Sequence, residues 1–168
     1  MTDGKKAADK SRQPVGETFW KLHYALANDV LLTSGTGGFT NCADPKTKDS
    51  VMYVVEEPFA RKTKNQTDEQ FMAIMKNRLS AADWNLKPSG DKIQSATKNG
   101  IEVQLRLLDR TGDSAALARL DVRGKCTNVG EAKDDIFHAY GGSKRDEYTS
   151  SSASPSPIPS FLSSDSTP

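Results

Sequence analysis

Hydrophobic and polar positions alternate most cleanly between Ala96 and Cys126. Ile101, Val103, Leu105 and Leu107 are apolar at every second position, with Glu102, Gln104 and Arg106 between them. Successive side chains on a strand point to opposite faces, so this pattern predicts one buried and one wet face. Asn99-Gly100 precedes the run and predicts a two-residue hairpin turn, because both central positions of a type I′ turn need positive φ. The partner strand is expected from Ile93 to Lys98. The polar run Asp109 to Ser114 reads as a second turn. After it Ala116, Ala118, Leu120 and Val122 alternate with Leu117, Arg119, Asp121 and Arg123. Counting on by twos puts Gly124 and Cys126 on the inner face too. An earlier β-prone run, Val51 to Val55, predicts one more strand, ended by Glu56-Glu57-Pro58.

Two stretches carry the other periodicity. From Val15 to Thr33, Phe19, Leu22, His23, Leu26 and Val30 recur at three- and four-residue spacing, beside a second stripe of Trp20, Tyr24, Ala27 and Leu31. This predicts a helix with a wide apolar surface. From Thr67 to Ala82, Phe71, Ile74, Met75, Leu79 and Ala82 form one stripe. Thr67 followed three residues later by Gln70 is a capping box, and Asp68 and Glu69 suit the positive end of the helix dipole. Trp84 is expected to pack under the strand that follows.

The predicted fold class is therefore α+β: a two-layer domain with a mainly antiparallel sheet of about four strands and two helices on one face, in the order α-β-α-β-β-β. The domain is expected to span residues 15–140. Residues 1–14 are polar and read as a flexible leader in which Lys5, Lys6, Lys10 and Arg12 form a solvated tether. Residues 141–168 open with Gly141-Gly142, turn rich in Ser, Thr and Pro, and are expected to be disordered. The Gly-rich stretch Ser34 to Phe39 reads as a mobile loop, since a phosphate-binding loop needs a strand before it and a helix after it.

Composition narrows the function classes. A formal net charge of +1 gives no global reason to bind nucleic acid or an anionic membrane. Arg61, Lys62 and Lys64, with Lys46 and Lys48, make a small basic patch, but it lacks aromatic residues for stacking bases. No apolar run approaches the roughly 20 residues that span a bilayer. Any membrane tether is expected outside this sequence.

Candidate chemistry is sparse. The two cysteines, Cys42 and Cys126, have no His-Cys cluster to make a zinc site. They are either two free buried thiols or one disulfide, and the disulfide is the reading carried forward. A bridge closing a loop of roughly 85 residues is worth about 4 to 5 kcal/mol in the chain-entropy model. It also implies an oxidising, extracytoplasmic compartment. Glu56 and Glu57 are adjacent and point to opposite strand faces, so they do not form a carboxylate pair. His23 reads as a packed core histidine. No catalytic, cofactor or metal residues are assigned.

The cysteine before a strand, the helix ending near a Trp, the hairpin TKNGIEVQL and the closing LDVRGKC resemble small exported proteins and lipoproteins of actinobacteria. The resemblance covers about residues 15 to 130. It implies export, with secretion or lipid anchoring at the cell surface, and brings no catalytic residues; the lipid-bearing cysteine of such precursors is absent here. The leading expectation is a monomeric, non-enzymatic domain that binds a protein or cell-envelope component. Its binding face would be the helix-free side of the sheet, where Glu102, Gln104, Arg106, Arg119, Asp121 and Arg123 point. One alternative is a small-ligand-binding protein or enzyme with a site between sheet and helices, using His23, Tyr53 and Trp84. Another is a secreted protease inhibitor presenting Arg110 on the loop Asp109 to Ser114.

Overall fold

A long central strand and a long N-terminal helix crossing it organise the molecule. The computed structural model describes residues 3–32, 34–62, 65–108, 117–140 and 146–148. Among them the order is α1 (Asp3–Leu26), β1 (Val30–Leu32), β2 (Gly35–Asn41), β3 (Ser50–Arg61), α2 (Asp68–Ala81), β4 (Lys87–Gly90), β5 (Ile93–Lys98), β6 (Ile101–Leu107), β7 (Leu117–Arg123), β8 (Thr127–Asn128), α3 (Lys133–Tyr140) and β9 (Asp146–Tyr148). The strands form one sheet in the order β4-β5-β6-β7-β3-β2-β9, with β1 and β8 also paired to β3. Every pairing is antiparallel.

The α+β class agrees with expectation, but the sheet is larger than the four strands predicted and carries three helices, not two. The added strands β1, β4, β8 and β9 are two to four residues long, too short to display a period. β2 was expected to be a mobile loop. It is a strand whose glycines serve aromatic packing: a Cβ on Gly35 would lie 2.6 Å from the Phe19 ring, and one on Gly37 2.2 Å from the Tyr53 hydroxyl. β3 runs through Glu56-Glu57-Pro58 instead of ending there. Pro58 falls between the end of the β2 pairing at Glu56 and the start of the β1 pairing at Phe59, and stands opposite Arg119 in the β7 pairing.

The expected leader needs the largest correction. Residues 3–14 are the first half of α1, and Ala8, Asp9 and Arg12 are buried. The buried positions 8, 12, 15, 19, 22 and 26 keep helical spacing across Pro14. The helix ends at Leu26 rather than near Thr33, because Val30–Leu32 pairs with Phe59–Arg61 of β3. The expected loss of order from Gly141 is also corrected at residues 146–148, which form β9 against β2. The rest of the expected tail lies outside the described residues.

The local predictions that rested on side-chain chemistry are seen directly. Thr67 and Gln70 form both hydrogen bonds of the capping box. Asn99 and Gly100 have φ of 54° and 78°, as the type I′ turn requires. Trp84 is buried beside β5, with the Lys98 ammonium 4.6 Å from its ring centre. The core joins Phe19, Leu22 and Leu26 of α1 and Phe71, Met75 and Leu79 of α2 to Val55, Val103, Leu105, Leu120 and Val122 of the sheet.

Candidate functional site

The disulfide pairs Cys42 with Cys126, whose Cα atoms are 5.9 Å apart. It joins the segment after β2 to the segment after β7. Cys126 was expected on the inner face, but the strand ends at Arg123 and Cys126 is exposed. The bridge therefore staples the rim of the sheet and not its core. Disulfides persist in oxidising compartments, so this bond points to an extracytoplasmic location. Among the described residues no helix is long and apolar enough to cross a membrane.

Buried polar side chains cluster around Arg12 and around His23. In the first, the fully buried Arg12 donates to Asp9 Oδ1 at 3.0 Å and to Asp146 Oδ2 at 3.1 Å. Tyr53 donates to Asp146 Oδ2 at 2.6 Å and shares a 2.9 Å hydrogen bond with Tyr148. Burial and the neighbouring Tyr148 and Asp146 hold the Tyr53 hydroxyl far above the ordinary tyrosine range. Burial pushes Tyr148 up to about 12. The cluster ties α1, β3 and β9 together, and its phenols are neutral hydrogen-bonding groups.

The second cluster is His23 and Glu57. Both side chains are 0% exposed, and Nδ1 lies 2.8 Å from Oε1. The rings of Phe19, Trp20 and Tyr24 stand 5.2–5.5 Å from the imidazole. Burial raises the Glu57 pKa, and the hydrogen bond and charge of His23 oppose that rise. Glu57 was expected to be a solvated strand end. It extends the inner-face alternation Val51, Tyr53, Val55, Glu57, Phe59, a signal present in the sequence once the strand is drawn through Pro58. An acid–base pair works only within hydrogen-bond reach of a substrate, and this one is sealed in aromatic packing. His23, Tyr53 and Trp84 are each buried.

The six residues expected on the open face do come together. Across β6 and β7, Glu102 stands opposite Arg123, Gln104 opposite Asp121 and Arg106 opposite Arg119. On the other side of β7, Asp121 stands opposite Glu56 of β3. Arg119 grips Asp121 with two hydrogen bonds, Nε–Oδ1 at 2.8 Å and NH2–Oδ2 at 3.0 Å. Arg123 lies 3.5 Å from Asp121 and 3.6 Å from Glu102. The Asp121 side chain is 1% exposed, whereas those of Arg119 and Arg123 are 31% and 32% exposed. A covered carboxylate thus holds two half-exposed guanidinium groups in place, and its hydrogen bond raises the pKa of Arg119.

The remaining candidates fare differently. Arg61 is buried and engaged with Asp68 and the Gln66 carbonyl, so it is not part of a basic surface patch. The loop Asp109 to Ser114 with Arg110 lies outside the described residues. Among the described residues no group of three His, Cys, Asp or Glu side chains is placed to hold a metal ion. Comparison of the chain with protein families, curated proteins and solved structures finds no match.

Proposed function

We propose that this chain is an exported, disulfide-stapled domain without catalytic activity that docks a protein partner on the open face of β3, β6 and β7. The arginines fixed by Asp121 carry this reading. A guanidinium already held in its bound geometry loses less freedom on association, and arginine is enriched at protein interfaces. The charge pattern of the face also bears on the class of partner. Arg106, Arg119 and Arg123 are balanced by Glu56, Glu102 and Asp121. A neutral mosaic suits a protein surface of interleaved charges better than a polyanion such as nucleic acid or an acidic envelope polymer. Export rests on the disulfide and on the resemblance to actinobacterial secreted proteins.

Photo-crosslinking in the producing cells tests the proposal. Crosslinkers at Gln104 and at Arg106 should trap one defined protein, and one at the exposed Asn77 on α2 should not. Replacing Arg119 and Arg123 by Ala should abolish the crosslink. Equal products from all three positions, or a crosslink that survives the double replacement, would refute the assignment. Capture of a glycan or lipid instead would place the partner in the envelope itself.

A further inference from the structure

A concave feature lies beside the first half of α1. The first half of α1 does not close completely onto the end of the sheet, and a cleft of about 350 Å³ remains between them. Ile101 and Gly124 line its sheet side, Ala7 and Pro14 its helix side. Lys10 and Lys125 line it from opposite walls. The Lys125 stem lies against Gly100: a Cβ there would sit 1.9 Å from Lys125 Cε, so the turn glycine provides the space that the lysine occupies.

Among the described residues nothing compensates the charge in this cleft. Neither Lys10 nor Lys125 has a side-chain hydrogen bond or an ion pair among the described residues, and Lys6 stands one helical turn before Lys10. Like charges at that spacing repel. Two carboxylates close by in sequence are committed elsewhere, Asp9 to Arg12 and Glu102 to Arg123.

We infer that the cleft binds a small anionic amphiphile: a carboxylate or phosphate head between Lys10 and Lys125, with one short apolar chain against Ala7, Pro14 and Ile101. Its volume is at the lower end for ligand pockets, which fits a single chain. Being concave, it takes a free monomer and not the surface of a bilayer. The site is separate from the sheet face proposed for protein docking, so either reading stands or falls without the other.

The test uses the full chain, labelled with nitrogen-15, and decanoate or decyl phosphate below micelle-forming concentrations. Calorimetry should show saturable one-to-one binding, with amide shifts centred on Ala7, Asn99, Ile101 and Lys125. Decyltrimethylammonium, with the same chain and the opposite charge, should not bind. Lys10→Gln combined with Lys125→Gln should weaken decanoate binding at least about tenfold. Both lysines are exposed, so the urea midpoint of this variant should match the parent. Binding of the cationic amphiphile at equal strength, or binding unchanged in the double variant, would overturn the inference. So would binding to anionic phospholipid vesicles with none to monomeric decanoate, which would make these lysines a membrane contact.

Discussion

Replacing Arg12 by Ala gives the strongest test of how α1 is attached. The guanidinium is fully buried, bonded to two carboxylates at 3.0 and 3.1 Å, and lies 6.0 Å from the Tyr53 ring centre. Its removal takes the guanidinium away from Asp9 and Asp146, themselves 7% and 6% exposed. Breaking a buried pair from one side costs about 3 to 5 kcal/mol, because the remaining charge stays buried. Asp146 keeps its hydrogen bond from Tyr53, which favours the lower end, about 3 kcal/mol. For a domain of this size that is roughly 10 °C in melting temperature. Urea unfolding followed by fluorescence of Trp20 and Trp84 reads the change as a fall in midpoint at unchanged slope. Lys6→Ala, at an exposed position of the same half-helix, should stay within about 0.5 kcal/mol. Adding Asp146→Asn to Arg12→Ala removes one unpaired charge, so the double variant should lose less than the sum of the singles. A loss below about 1 kcal/mol for Arg12→Ala, indistinguishable from Lys6→Ala, would show that residues 3–14 are not docked.

Two further perturbations bear on stability. Replacing Cys42 and Cys126 by Ala opens a loop of sequence separation 84 and should cost about 4 to 5 kcal/mol, seen equally on reduction of the parent protein. An unchanged urea midpoint would remove the bridge from the account of stability. Glu57→Gln tests the buried dyad through pH. Burial raises the folded-state pKa of Glu57, so above its ordinary value of 4.5 the folded state holds this proton more tightly than the unfolded state does. The contribution is therefore fully present at low pH and is lost as pH rises through the folded pKa. Stability of Glu57→Gln relative to the parent should accordingly rise as the pH is raised above 4.5. A difference that is flat, or that falls, would contradict the argument.

What the sequence made legible was local. The Thr67–Gln70 box, the Asn99-Gly100 turn and the alternation of β6 and β7 each depend on neighbours a few residues apart, and each is present. The open-face residues were legible for the same reason: period two along β6 and β7 puts Glu102, Gln104, Arg106, Arg119, Asp121 and Arg123 on one side, and register then brings them together. The failures come from residues whose partners lie far along the chain. Arg12 reads as a solvated lysine-like residue until Asp146, 134 positions away, supplies its counter-charge. Gly35 and Gly37 read as a loop because the rings that need their space come from Phe19, Tyr53 and Tyr148. Glu57 reads as exposed until His23, 34 residues earlier, faces it. Pro14 and Pro58 each suggested a boundary that tertiary packing overrides.

These long-range pairs also decide where function is to be sought. Buried titratable groups are a common mark of active sites, but structural ion pairs perturb pKa values just as well. Here the two readings separate by access. Arg12 with its carboxylates, and His23 with Glu57, are closed on all sides by α1 and the sheet, so they fix the helix and the terminal strand. Asp121 is buried too, but the two arginines that it holds reach solvent. Asp121→Asn would weaken both contacts while leaving the helix side of the sheet untouched. A partner that depends on fixed guanidinium groups would then bind more weakly with little change in folding stability. A variant of the inner pairs would show the reverse, a large loss of stability and undiminished binding by the fraction that remains folded.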